Sequence, residues 1–179
     1  MIDAAIPAPQ GAIPAARVVV VDDEPTLRRT IARALAARGF EVSQFEDGDG
    51  ALAHVRNADP DVLLIDLMMP GVSGLEVLRE VKAIRPDVEC VMMTAYSRIE
   101  DAVAAVRAGA YDFLTKPFQS MDAVAITVSK AAERRRLIAR TRNLEERLER
   151  GGQLEIGEII GGSPAMHPVY RMIEGVASA

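Results

Sequence analysis

The segment Asp61-Val62-Leu63-Leu64-Ile65-Asp66-Leu67-Met68-Met69-Pro70-Gly71 constrains the fold more than any other stretch. An apolar run with β-branched members, ended by a carboxylate and then a Pro-Gly breaker, reads as a strand buried on both faces whose last residue emerges at the sheet edge. That residue is Asp66. In an open α/β sheet, ligands sit in the crevice beyond the carboxyl ends of the strands, so an acid placed there is a candidate reactive group. The plain alternative is a helix-capping or turn aspartate, and the other strand ends decide between the two.

Four more strands are expected. Arg17-Val18-Val19-Val20-Val21 is a β-branched run ending in Asp22-Asp23-Glu24, with Pro25 at a first helical position and the stripe Leu27, Ile31, Ala34, Leu35 behind it. Gly39 closes that helix, and Glu41 to Phe45 alternates as a second strand before Asp47-Gly48-Asp49-Gly50 opens a helix bearing Leu52 and Val55. After Asp66, Ser73 suits an N-cap for a helix carrying Val77, Leu78, Val81 and Ile84, stopped at Arg85-Pro86. Val88 to Thr94 is the fourth strand. A helix with the stripe Ile99, Ala102, Val103 and Val106 leads to Gly109, and Tyr111 to Thr115 is a short fifth strand ahead of Lys116-Pro117.

Strands alternating with helices pair in parallel, because each right-handed crossover returns the chain to the same end of the sheet. The expected class is α/β, a doubly wound five-stranded parallel sheet. That geometry delivers Asp22, Asp23, Asp66, Thr94 and Lys116 to one edge: three carboxylates, a hydroxyl and an ammonium. Three acids in one crevice repel each other, and a bound hard cation relieves that repulsion economically. Mg²⁺ takes one or two carboxylates, keeps waters and accepts further oxygens from a phosphoryl group. Lys116 and Thr94 are placed to hold other phosphoryl oxygens, and Asp66 to act as a carboxylate nucleophile. The edge reads as a phosphoacceptor site.

Composition removes other classes. A net charge of −5 argues against a dedicated nucleic-acid surface. The basic cluster Arg134-Arg135-Arg136 is expected as a solvated helix face. Cys90 is the only cysteine and lies in an apolar run, so disulfides and thiolate zinc sites are out, and isolated His54 and His167 make a histidine metal site implausible. No apolar run approaches the roughly 20 residues of a membrane helix, so a cytoplasmic location without membrane contact is expected. Residues 1–16 are Ala/Pro-rich, lack a signal-peptide pattern and are expected to form a disordered tail.

On these residues the chain resembles the receiver domain of two-component response regulators, over about residues 17–135. The matching features are Asp22-Asp23 after a β-branched strand, Asp66 with Met-Pro-Gly behind it, Thr94-Ala95, and Lys116-Pro117-Phe118. The resemblance implies a CheY-like fold with strand order 2-1-3-4-5, and phosphorylation of Asp66 by the phosphohistidine of a sensor histidine kinase. It further implies Mg²⁺ bound by Asp23, Asp66 and the main-chain carbonyl of Met68, with Asp22 assisting through water. The family's switch pair falls on Thr94 and Phe113; many members carry Tyr where this chain has Phe113, so the ring remains and a phenolic hydrogen bond is lost. The side chains that flank the phosphoryl group in the family are Met68 and Tyr96 here. A cis Lys116-Pro117 bond is also implied.

Beyond the fifth strand the helical pattern continues from Met121 to about Glu149 without Pro or Gly. Leu137, Leu144 and Leu148 share a seam with Thr141, Arg142 and Glu146 flank it at i,i+4 spacing, and a homodimer is expected from this linker helix, residues 136–152. Gly151-Gly152 ends it. The closing stretch, with Ile160-Gly161, Ser163, Met166 and Val169, resembles the first residues of the AAA+ domain of NtrC-type, sigma-54-dependent activators, here residues 153–179. No phosphate-cradling G-x-x-x-x-G-K-[ST] occurs, so the chain is expected to act as a regulatory phosphoacceptor and not as an ATPase. Contact with sigma-54 RNA polymerase and DNA is expected only through domains absent from these residues.

Three rival readings are weaker. Gly48-Asp49-Gly50-Ala51-Leu52-Ala53 fits a dinucleotide fingerprint, but Glu46, Asp47 and Asp49 crowd the place where bare amides must meet a pyrophosphate. An aspartyl-phosphatase needs a second acid two residues after the nucleophile, where Met68 stands. A degenerate, non-catalytic interaction module is disfavoured because every phosphorylation position is filled.

Overall fold

The computed structural model describes residues 15–95 and 99–151. Strands and helices alternate as β1 (Arg17–Val21), α1 (Pro25–Ala36), β2 (Glu41–Phe45), α2 (Gly48–Asn57), β3 (Val62–Asp66), α3 (Gly74–Ile84), β4 (Glu89–Thr94), α4 (Ile99–Arg107), β5 (Asp112–Thr115) and α5 (Met121–Gly151). The five strands form one parallel sheet in the order β2-β1-β3-β4-β5, as expected of a CheY-like fold. By contacts the chain divides into Met1–Ala139, which holds the whole sheet, and Arg140–Ala179, whose described part is helical.

The two-residue period of the strands sorts their side chains onto two faces. Val19, Val21, Leu63, Ile65, Cys90 and Met92 pack with Ala51, Val55, Val77, Leu78 and Val81 of α2 and α3. Val18, Val20, Val62, Leu64, Val91 and Met93 pack with Ile31 and Leu35 of α1 and with Val124 and Val128 of α5. Each such fully buried aliphatic side chain contributes about 1.5–3 kcal/mol by leaving water. Burial on both faces explains the continuous apolar runs. Cys90 is a packed core thiol, and burial pushes its pKa up to about 12.

Two expectations need correction. In α4 the inward residue is Ala105, fully buried, whereas Val103 and Val106 are 43% and 63% exposed. A small residue lets the helix sit close to its neighbours, and apolarity alone misassigned the face. Nor is the α5 arginine cluster solvated throughout: Arg134 is exposed, but Arg135 is not. Arg135 is buried and ion-pairs with Asp59, Asp61 and Asp87, while Arg134 pairs with the buried Glu89 and lies 5.7 Å from the centroid of the Tyr111 ring. These partners stand 45 to 76 positions away in sequence, beyond any local pattern. The expected tail through residue 14, Tyr96, the side chains of Leu144, Glu146 and Leu148, and segment 153–179 lie outside the described residues.

Candidate functional site

Strand β1 has β2 on one side and β3 on the other, so the connections leave in opposite directions and a crevice opens between the carboxyl ends of β1 and β3. Asp22 follows β1 directly and Asp66 closes β3. Thr94 closes β4, and its carbonyl accepts from the Lys116 N–H at 2.6 Å, which fixes the start of the β5–α5 loop beside it. The Lys116 side chain then reaches across the edge. Its Nζ lies 2.7 Å from Asp22 Oδ2 and 3.1 Å from Asp66 Oδ2. The expected cis bond between Lys116 and Pro117 is present.

Oxygens of Asp22, Asp23 and Asp66 all fall within 4.8 Å of one another. Asp22 is fully buried and already engaged, with Oδ1 accepting from the Glu24 N–H at 2.9 Å and Oδ2 from Lys116. Asp23 is exposed and Asp66 almost buried. Burial raises the Asp66 carboxyl above the usual range; Lys116 and the Met68 N–H pull it back, while the charge of Asp22 adds to the rise. For Lys116, burial acts to lower the pKa, but hydrogen bonds to Asp22 and Asp66 outweigh it and hold the ammonium above its ordinary value. One lysine thus offsets two acids. The remaining negative charge, all on oxygen and open to solvent at Asp23, fits a hard divalent cation.

The residues expected to form a switch pair, Thr94 and Phe113, lie on adjacent strands. Met92 pairs with Phe113 and Thr94 with Thr115, so by the strand period Thr94 and Phe113 share a sheet face two positions apart. Thr94 is buried and Phe113 half-buried. Met68 is 63% exposed.

Sequence reasoning missed two residues. Arg28 of α1 donates from Nη1 to the main-chain carbonyl of Asp22 at 2.5 Å; an arginine on a helix carries no sequence signal of such a contact. Gly74 sits where a Cβ would come within 2.0 Å of the Asp66 carbonyl oxygen, and only its place at a helix start hinted at this. The dinucleotide reading fails structurally too. Asp47 caps α2 by accepting from the Gly50 N–H at 2.8 Å, so a carboxylate occupies an amide a pyrophosphate needs.

Residues 18–139 match the family model described as response regulator receiver domain. The chain belongs to that family. Receiver domains are phosphoacceptor regulatory modules and generally bind Mg²⁺ at their acidic pocket. The DNA-binding transcriptional regulator NtrC of Salmonella typhimurium is 39% identical to this receiver chain over 156 residues, covering 87% of this chain and 32% of NtrC. The C4-dicarboxylate transport transcriptional regulatory protein DctD of Rhizobium meliloti is 32% identical over 160 residues, 89% of this chain and 34% of DctD. Among solved structures, NtrX from Brucella abortus in complex with ATP superposes with TM-score 0.68 at 34% identity, covering 91% of this chain and 35% of NtrX. A CheY-like receiver domain protein from Methanospirillum hungatei matches with TM-score 0.64 at 26% identity, over 68% of this chain and 98% of its own. The receiver chain therefore spans about a third of the length of the NtrC-type relatives it matches.

Proposed function

We propose that Asp66 accepts a phosphoryl group from the phosphohistidine of a sensor histidine kinase, with Mg²⁺ held by Asp23, Asp66 and the Met68 carbonyl and assisted by Asp22 through water. The observation that carries this reading is the convergence of Lys116 on Asp22 and Asp66, at 2.7 and 3.1 Å, beside an exposed third acid. When bound, the ion supplies charge neutralisation where the phosphoryl oxygens arrive. An Asp66 oxygen attacks phosphorus, the P–N bond breaks, and its electron pair returns to the imidazole. Lys116, freed of half its duty to Asp66, then pairs with a phosphoryl oxygen, and the Thr94 hydroxyl donates to another. Movement of Thr94 and Phe113 passes the change to the sheet face they share.

The organisation that goes with this function is a receiver at 17–135, a linker helix at 136–152 that pairs in a homodimer, and at 153–179 the start of an AAA+ sigma-54 interaction domain. Phosphorylation of Asp66 sets the assembly state of that larger regulator, which contacts sigma-54 polymerase and DNA through other domains. Similarity to NtrC and DctD supports this reading.

Radiolabel transfer from acetyl phosphate tests the chemistry. Labelling is expected in the wild type, at background in Asp66→Asn, and without Mg²⁺ dependence above background in Asp23→Ala. Undiminished labelling of either variant contradicts the site assignment.

A further inference from the structure

The three clustered acids are held in different ways. Asp66 is a strand residue braced by Lys116, and both oxygens of Asp22 already accept hydrogen bonds. Asp23 is the exposed member, and among the described residues its carboxylate has no hydrogen-bond or ion-pair partner. With no side-chain partner, its carboxylate is placed only through the position of its main chain.

Arg28 grips that main chain. Its Nη1 donates to the Asp22 carbonyl, which shares one rigid peptide plane with the Asp23 nitrogen and Cα. Holding this oxygen fixes the plane, and with it the position of the Asp23 Cα from which the side chain leaves. The Arg28 N–H accompanies this by donating to the Glu24 carbonyl at 3.0 Å, so the helix that follows the acid loop folds back to brace it. The Arg28 side chain is only 14% exposed, whereas its second contact, Glu46 at 3.9 Å, is 77% exposed and of little energetic weight.

We propose that Arg28 is a positioning residue for the divalent-cation site, acting through the Asp22–Asp23 peptide. This rests on the reading of Asp22, Asp23 and Asp66 as that site. The proposal has a sign that electrostatics alone cannot mimic. Removing a bystander cation from beside three acids strengthens their attraction for a dication, so Mg²⁺ would bind more tightly. Removing a positioning residue frees the Asp23 carboxylate to wander, and Mg²⁺ binds more weakly.

The test is calorimetric titration of Mg²⁺ alone into the wild type and into Arg28→Met, Arg28→Lys, Glu46→Gln and Asp23→Ala, with thermal unfolding in chelator as a check on folding. Arg28→Met is expected to weaken Mg²⁺ binding by about tenfold, the scale of lost supports behind metal ligands. Arg28→Lys keeps the charge without the planar fork and should fall between Arg28→Met and the wild type, and Glu46→Gln should match the wild type. If Arg28→Met does not fold, Arg28→Lys decides alone. Either arginine variant binding Mg²⁺ as tightly as the wild type, or tighter, overturns the proposal. When that happens while Asp23→Ala abolishes binding, only the role of Arg28 falls; when Asp23→Ala binds normally, the cation site falls with it.

Discussion

At the scale of single residues, the backbone that ends in Asp66 tolerates only a glycine beside it. Gly74 begins α3 directly under the carboxyl end of β3, donating its N–H to the Leu67 carbonyl at 3.1 Å. A Cβ there would lie 2.0 Å from the Asp66 carbonyl oxygen and 2.9 Å from the Leu67 Cα, both backbone atoms that cannot rotate away. Gly74→Ala is expected to cost about 3 kcal/mol in denaturant unfolding, the upper end of ordinary overpacking, and to slow Asp66 labelling because the strand end must shift. Met68 sets a different limit. Its N–H supports the Asp66 carboxylate, while its side chain can neither orient a water as a base nor attract one. Closing over the acyl phosphate, this bulk should prolong it, so Met68→Asn is expected to shorten the phosphorylated lifetime several-fold; equal decay, or faster decay in the wild type, contradicts the shielding argument.

At the scale of elements, helix ends carry separable contributions. The Ser73 hydroxyl accepts from the Glu76 N–H, and Glu76 accepts from the Ser73 N–H and hydroxyl at 2.9 and 2.7 Å, a reciprocal capping box on α3. The Ser73 side chain and then its N–H hold the Glu76 carboxyl below its ordinary value of 4.5. Because the folded value is depressed, this contribution is full above 4.5 and is lost as pH falls through the folded value. Ser73→Ala should therefore cost more stability at neutral pH than in acid, as denaturant unfolding at the two pH values would show. A penalty independent of pH across that window would show that the hydroxyl cap acts without the carboxylate. Helix α5 has another kind of anchor, since Arg134 and Arg135 tie its middle to Glu89 and to the acids before β3 and β4.

At the scale of the whole molecule, some of the apolar side chains left exposed lie on α5. Leu137 and Ile138 are 59% and 39% exposed, past the last turn that packs on the sheet. Under the proposed function, Leu137 belongs to the expected seam with the Leu144 and Leu148 positions, through which a second copy would pair. Sedimentation is expected to show a homodimer, with Leu144→Asp weakening it by at least about tenfold, or ~1.4 kcal/mol. A monomer at high micromolar concentration, with and without phosphorylation, contradicts this.

The sequence by itself determined the layering. Runs such as Val18–Val21 and Val62–Ile65 can satisfy their apolar side chains only when helices cover both faces, and that forces parallel strands whose carboxyl ends, and so Asp22, Asp66, Thr94 and Lys116, meet at one edge. These are local patterns with a fixed period, and they survive without tertiary information. Tertiary structure decided which contacts the polar side chains make. Whether Arg135 faces water or three aspartates, whether Val106 or Ala105 turns inward, and whether Arg28 meets the Asp22 carbonyl all depend on groups delivered by distant segments at ångström precision. Hydrophobic burial follows periodicity, whereas hydrogen bonds and ion pairs need their partners in place before any preference exists.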